Sequence, residues 1–322
     1  MGAGLDEFGL IARYLAPLAG PGGLGLLDDA ALLQPTPGND LVLTKDMIIA
    51  GVHFLDDDPP GMIAAKLLRV NLSDLAAKGA RPRAYLLGLA LPAGIDEAWI
   101  AAFARGLADD QQTFGIELLG GDTTATQGPV VLSLTAIGEV PVGTMLRRGG
   151  ARAGDLVAVS GTIGDGMLGL EASLGQLPGL APGDAAWLRD RYLRPQPRLA
   201  LGARLRRWAT AGADVSDGLI ADLGNIARAS GLSAELDLSL VPLSPQAMAA
   251  LAVRPELAAR IPTGGDDYEL VITLAPSDLV RLQVESDPPL TIIGKMVSGK
   301  TGIVTDEKGQ PLGPGGYRHF GS

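Results

Sequence analysis

Carboxylates recurring at short spacings beside apolar runs carry most of the chemistry legible in this sequence. They stand at Leu27-Asp28-Asp29-Ala30, Thr44-Lys45-Asp46, Asn71-Leu72-Ser73-Asp74, Gly120-Gly121-Asp122-Thr123-Thr124, Asp214-Val215-Ser216-Asp217-Gly218 and Gly264-Gly265-Asp266-Asp267-Tyr268-Glu269. A single such stretch has a bland explanation, because Asp readily bonds its own backbone in a turn. Their recurrence next to strand-like and helical segments, not in solvated charge blocks, argues for more. With two His and no Cys in the chain, the available ligands are hard oxygens. These suit magnesium, which keeps several waters and shares its other positions with substrate phosphates. Leu118-Leu119-Gly120-Gly121-Asp122 reads as a buried strand running into a glycine turn, where backbone without Cβ can approach an anion closely. The set points to a metal and nucleotide-phosphate site.

The elements that must position these groups follow from the apolar spacing. Residues 5–16 read as a helix, and Leu41–Thr44 as a strand whose period-two alternation puts Thr44 and Asp46 on one face and Lys45 on the other. Pro59-Pro60 opens a helix over about 61–78 that carries Asp74 among Leu72, Leu75 and Ala76, where a charge needs a partner or a metal. Strands follow at 84–91, 116–120 and 130–139, with a helix from the cap Asp96 to Gly115 between the first two. Polar, glycine-rich residues around 141–153 mark a boundary between domains 1–140 and 141–322.

In the second half a strand at 156–160 enters Gly161-Thr162-Ile163-Gly164-Asp165-Gly166 and a helix, an arrangement able to face an anion. Helices are expected at 184–193 and 199–210, then one capped by Ser216 or Asp217 and ended by Gly231, then a strand at 269–273. Each Ser-Asp pair, Ser73-Asp74 and Ser216-Asp217, is followed at a similar distance by a Gly-Gly-Asp stretch, which hints at two related halves. The loop Gly20-Pro21-Gly22-Gly23 reads equally as a connector or a phosphate contact. His53, in an apolar setting, reads as a structural residue before it reads as a catalyst.

A chain of 322 residues, 47% hydrophobic, with 45 Gly, 23 Pro and 4% aromatic residues, suits a two-domain α/β or α+β enzyme with many tight turns. The absence of cysteine excludes a disulfide framework, a thiolate zinc site and a cysteine nucleophile. The acidic Asp6-Glu7 near the start does not fit a signal peptide, and no run reaches the ~18 apolar residues of a membrane helix. A soluble, cytoplasmic protein is expected. Net charge −10 argues against nucleic-acid binding, which depends on Lys and Arg neutralising phosphates. An acidic cleft accepts ATP only if cations bridge the two.

Gly294-Lys295-Met296-Val297-Ser298-Gly299-Lys300-Thr301 matches the Walker A pattern after a strand-like run. The motif works only where a helix starts at Lys-Thr. Here Gly302-Ile303-Val304-Thr305 and Asp306-Glu307-Lys308-Gly309 read as a strand and a hairpin turn, so the match is set aside.

Together with Asp28-Asp29-Ala30-Ala31-Leu32-Leu33, Ala50-Gly51-Val52-His53-Phe54, Asn71-Leu72-Ser73-Asp74-Leu75-Ala76-Ala77-Lys78-Gly79-Ala80, Asp214-Val215-Ser216-Asp217-Gly218-Leu219 and Gly316-Tyr317-Arg318-His319-Phe320, the acidic stretches resemble the thiamine-monophosphate kinases. That family belongs to the aminoimidazole-ribonucleotide synthetase-like superfamily, with selenophosphate synthetase. The resemblance implies ATP-dependent phosphorylation of thiamine monophosphate with several magnesium ions. It also implies a homodimer whose N-terminal mixed sheets join in a β-barrel, with a C-terminal α+β domain on each subunit. By position, Asp29, Thr44, Lys45, Asp46, Asp74, Asp122, Asp214 and Asp217 fall at metal ligands. Gly121, Asp122, Arg148 and Ser216 fall at nucleotide contacts, and His53, Asp266 and Tyr317 at the thiamine-phosphate site.

Three positions depart from the family pattern: Leu27 stands for a Gly, Lys45 for a Thr and Asp266 for a Glu. Lys45 serves an ion only through its backbone carbonyl, or else takes over part of the ion's charge. The acceptor in such a reaction is a phosphate oxygen, already anionic, so no strong general base is needed. Asp46, Asp74 and Asp122 are expected to hold the ions that bridge donor and acceptor, and Asp214 and Asp217 those on the nucleotide. Two rivals are another synthetase of the superfamily, against which the missing cysteine argues for the selenophosphate case, and a binding protein without turnover.

Overall fold

The computed structural model describes residues 7–279, 288–313 and 315–316. The chain divides into two compact units. One takes in the described residues up to Leu75 with Ala80–Gly143, the other Ala76–Gly79 with the described residues from Thr144 onward.

The first unit opens with α1 (Glu7–Leu10), a π turn at Ile11–Leu15 and a 3-10 turn at Ala16–Leu18. The helix expected over 5–16 is present from Glu7 among the described residues, with its bonding changing from α to π to 3-10, and Pro17, which has no N–H to donate, sits in the last turn. Next come β1 (Asn39–Ile49), α2 (Pro60–Ala77), β2 (Arg81–Pro92), α3 (Glu97–Phe114), β3 (Glu117–Thr126) and β4 (Val131–Pro141). The sheet order is β1-β4-β2-β3, antiparallel except for β2 beside β3. Two β-helix-β connections therefore place α2 and α3 together against the sheet. Gly106 lets them touch, since a Cβ there would lie 2.3 Å from Gly61 O. The buried Arg69 guanidinium grips Asp110 through two 2.8 Å hydrogen bonds. The opposite sheet face leaves Leu43, Met47 and Leu86 exposed.

One expectation fails instructively here. Gly120-Gly121-Asp122-Thr123 is not a turn: it continues β3, paired with β2 as far as Thr126. The glycine serves a neighbouring strand, because a Cβ on Gly121 would fall 1.8 Å from Leu87 O. The register shifts just before it, as Tyr85 pairs with Leu118 and Leu86 with Gly120.

The second unit holds β5 (Leu156–Ser160), α4 (Asp165–Ser173), α5 (Pro182–Leu193), α6 (Leu199–Leu205), β6 (Ala209–Asp214), α7 (Leu219–Ser230), β7 (Ser233–Leu236), α8 (Pro245–Val253), β8 (Leu270–Leu274), β9 (Leu290–Val297) and β10 (Val304–Asp306). Its six strands lie in the order β10-β7-β9-β5-β8-β6. Both faces are covered. Val157, Val159 and Val271 pack with Leu168, Leu188 and Leu223, while Ala158, Ile272 and Leu274 pack with Ala76, Leu201 and Leu205.

The helix expected over 199–210 ends at Leu205, and 209–214 is strand β6. Its small residues carry a weak strand signal but are required by packing: a Cβ on Gly212 would lie 2.7 Å from the Leu146 side chain. The Walker-like segment lies in β9 and the turn that leads to β10, with no helix starting at Lys300. Nor do the two halves repeat. Ser73-Asp74 is inside α2, whereas Ser216-Asp217 precedes α7, and the two sheets differ in strand number and order. No helix among the described residues is long and apolar enough to cross a membrane.

Glu139, buried at the end of β4, fastens the first unit. It accepts hydrogen bonds from Thr36 N (2.9 Å), Asn39 Nδ2 (3.3 Å), Arg81 (3.1 Å) and Arg83. Burial pushes its carboxyl up, but the bonds from Thr36, Arg83 and Asn39 prevail and hold it at about 2, below the ordinary 4.5. A carboxylate depressed in this way stabilises the fold fully above its unfolded value and loses that contribution as the pH falls towards the folded one. Glu139→Gln is predicted to cost roughly 1–3 kcal/mol at neutral pH. Its thermal midpoint should approach that of the unsubstituted protein between pH 4.5 and 2; a constant gap across that range would show that Glu139 is not the titrating group.

Candidate functional site

In the first unit the acidic residues divide between two faces of the sheet. Alternation along β1 turns Thr44 and Asp46 inward and Lys45 outward. The Thr44 hydroxyl bonds Asp74 on α2, and Asp46 N donates to Asn71 Oδ1 at 3.2 Å. Asn71 is fully buried and donates to Leu67 O at 2.9 Å, so one amide fixes strand and helix at the level of Asp46. Burial first, and the Asp74 charge second, push the Asp46 carboxyl up to about 7. A carboxyl so raised, beside a second carboxylate and a hydroxyl, fits a divalent cation, whose charge would relieve both effects.

Lys45 is on the other face, donating to Ser133 Oγ, so its ammonium is turned away from the Thr44–Asp46–Asp74 group. There it lines a cavity of about 730 Å³ with Asp28, Asp29, Gly121 and Asp122. Asp29 N donates to Asp28 Oδ1 at 2.8 Å, and both residues are exposed. Leu27 takes φ −106°, which any residue adopts, so a side chain in place of glycine brings no backbone strain there. His53 Nδ1 accepts from Ile49 N at 3.1 Å. The proton of the neutral ring is then on Nε2, a donor suited to an anionic oxygen.

In the second unit β6 ends at the buried Asp214, and Val215-Ser216-Asp217-Gly218 turns into α7. Neither Ser216 nor Asp217 caps the helix as expected. Gly218 occupies that position at φ 122°, and a Cβ there would lie 2.8 Å from Thr263 O. Asp222, in the first turn of α7, reaches back instead: its Oδ2 accepts from both Ser216 N and Asp217 N at 3.0 Å.

Asp222 was missed by the sequence reading, although an Asp in the first helical turn just after Ser-Asp-Gly is a recognisable signal. Burial and then the Asp217 charge push its carboxyl up to about 6, against the pull of those two amides and of Arg148. Its Oδ1 is buried and makes no hydrogen bond among the described residues. An orphaned carboxylate oxygen beside Asp217 fits a cation or its water shell.

Asp266 is held by its own N–H, which donates to Ser216 O at 2.9 Å, and by Tyr268, whose hydroxyl donates to Asp266 Oδ1 at 3.1 Å. Tyr317 lies outside the described residues. Among the described residues no three Asp, Glu or His side chains are already gathered closely enough to hold a metal. The pairs Asp46–Asp74 and Asp217–Asp222 remain, which accords with an ion that takes one or two carboxylates and fills its shell with water and phosphate.

Two family models match the chain, AIR synthase related protein N-terminal domain over residues 27–140 and C-terminal domain over 152–307. The thiamine-monophosphate kinase of Caulobacter vibrioides is 48% identical, covering 96% of this chain and 88% of its own. The crystal structure of the Stenotrophomonas maltophilia thiamine-monophosphate kinase is 43% identical with a TM-score of 0.83, covering 95% of this chain and 98% of its own. A structure described as AaThiL complexed with AMPPCP and TMP is 31% identical with a TM-score of 0.81, covering 98% and 97%. The fold is thus the two-domain α/β fold of the AIR synthases.

Asp222→Ala leaves the amides of Ser216 and Asp217 without their acceptor. A loss of about 1–3 kcal/mol is predicted, read as a lowered midpoint in thermal denaturation. An unchanged midpoint would show that the turn stands without this carboxylate.

Proposed function

The chain belongs to the thiamine-monophosphate kinase family, and from that premise we propose how its residues divide the labour of moving the ATP γ-phosphoryl group onto thiamine monophosphate, giving thiamine diphosphate. The observation that carries the reading is likeness over nearly the whole chain to a structure complexed with AMPPCP and TMP. The transfer is direct and in line. The acceptor oxygen is already anionic, so the obstacle is repulsion between two polyphosphates rather than removal of a proton.

Asp46, Asp74 and Asp122, with Asp29 and Thr44, would hold the ions that serve donor and acceptor, and Asp214 and Asp217 would hold those that serve the nucleotide. Several magnesium ions, when bound there, neutralise the phosphate oxygens and keep them aligned. Towards Thr44, Asp46 and Asp74 Lys45 adds only its main chain, because its ammonium is on the other face, where it lines the cavity that holds Asp29 and Asp122. Gly121, Arg148 and Ser216 contact the nucleotide. His53, Asp266 and Tyr317 contact thiamine monophosphate, His53 donating through Nε2. The exposed apolar face with Leu43, Met47 and Leu86 supports a homodimer in which two such sheets close a barrel. A cytoplasmic location accords with a chain that has no cysteine.

Purified protein supplied with ATP, thiamine monophosphate and magnesium is predicted to form thiamine diphosphate, and a chelator to stop it. ATP binding without product would instead favour a binding protein. Asp122→Asn should lower turnover by about 100-fold or more, the order expected when an electrostatic element of a transition state is removed, with little change in thermal midpoint. Near-normal turnover would remove Asp122 from the mechanism.

A further inference from the structure

The loop Gly264–Glu269 alternates between side chains fastened inward and side chains left at the surface of the second unit. Asp267 and Glu269 are buried, while Asp266 and Tyr268 are half-buried. The Asp267 carboxylate accepts from Gly164 N at 2.9 and 2.8 Å and from Gly166 N at 3.0 Å, at the start of α4. Glu269 accepts from Ser160 Oγ at 2.6 Å, Arg191 at 2.9 Å and Arg198 Nε at 2.8 Å.

The main chain is tied to the Val215–Ser216 turn through Asp266 N, Tyr268 N and Glu269 O, over 2.8–2.9 Å. Two glycines admit this approach. A Cβ on Gly166 would lie 2.1 Å from Asp266 O, and one on Gly265 2.4 Å from Ser216 O.

Between these anchors Asp266 takes φ 69° and Tyr268 φ 52°. Residues with a Cβ rarely adopt that region, and it persists where the surroundings over-determine it. A short Asp side chain has little reach of its own, so the backbone decides where its carboxylate goes. The side-chain rotations that remain are restrained by the Tyr268 hydroxyl through its bond to Oδ1.

We propose that Asp267 and Tyr268 are positioning residues for the thiamine-phosphate contact Asp266: Asp267 fixes the left-handed backbone that aims it, and Tyr268 fixes the rotation of its carboxylate. This rests on the reading that Asp266 touches thiamine monophosphate. A purely structural role would lower stability or affect both substrates alike, whereas a positioning role falls on the acceptor alone.

The test is steady-state kinetics of the full chain with ATP and thiamine monophosphate varied separately, beside thermal midpoints, for Asp266→Ala, Asp267→Asn and Tyr268→Phe. Tyr268→Phe keeps the ring and removes only the hydroxyl, so it decides the matter even if Asp267→Asn does not fold. Both positioning variants should raise KM for thiamine monophosphate about tenfold, the equivalent of one hydrogen bond. KM for ATP should stay within about twofold, and Tyr268→Phe should keep its midpoint. If Asp266→Ala raises KM for thiamine monophosphate while Tyr268→Phe leaves it unchanged, the positioning role is overturned and the acceptor reading of Asp266 stands. If Asp266→Ala leaves that KM unchanged, the acceptor reading fails and the positioning role with it.

Discussion

Like charges held close together in partly desolvated surroundings are the constraint on which this structure depends. Asp46 beside Asp74, and Asp217 beside Asp222, are arrangements that raise a carboxyl pKa, so the repulsion within each pair of bare anions opposes folding. Each is kept in place by neutral polar groups. Asn71 ties β1 to α2 in the first unit, and two backbone amides hold Asp222 in the second. On the reading proposed above, positive charge relieves that repulsion, and the sites would respond to magnesium and, through it, to phosphates.

Three other buried carboxylates are paired with arginine. Glu139 has Arg81 and Arg83, Asp110 has Arg69, and Glu269 has Arg191 and Arg198. The contrast separates acidic groups that fasten the fold from those left for ions. It also accounts for the coexistence of a net charge of −10 with an anionic co-substrate. The total charge bears on encounter in solution, whereas the paired aspartates bear on the bound state.

Much of this was legible in the residues. Period-two alternation separated Thr44 and Asp46 from Lys45, and the structure keeps that separation. A helix bounded by Pro60 and Gly79 carries Asp74 inward as its spacing required. The Walker-like match failed for the local reason visible in sequence, since strand residues follow Lys300 where a helix is needed. What could not be read depends on contacts between distant segments. Gly121 looked like a turn residue because sequence does not reveal that Leu87 O lies against it. Ser216 looked like a cap because its type suits that position, although Asp222 in the first turn of α7 was the local signal that the turn is held from the helix instead. The left-handed backbone at Asp266 and Tyr268 is imposed by buried anchors from α4 and β5, and neither residue type announces it.

The most direct test of the central claim is a calorimetric titration of thiamine monophosphate into protein holding a non-hydrolysable ATP analogue, with magnesium and with a chelator. If divalent cations are what let the aspartates accommodate two anions at once, thiamine monophosphate should bind at least about 100-fold more tightly with magnesium, a difference near 2.7 kcal/mol. Equal affinity in the chelator would contradict the account, because the two phosphates would then share the protein without the charge that their coexistence is argued to require.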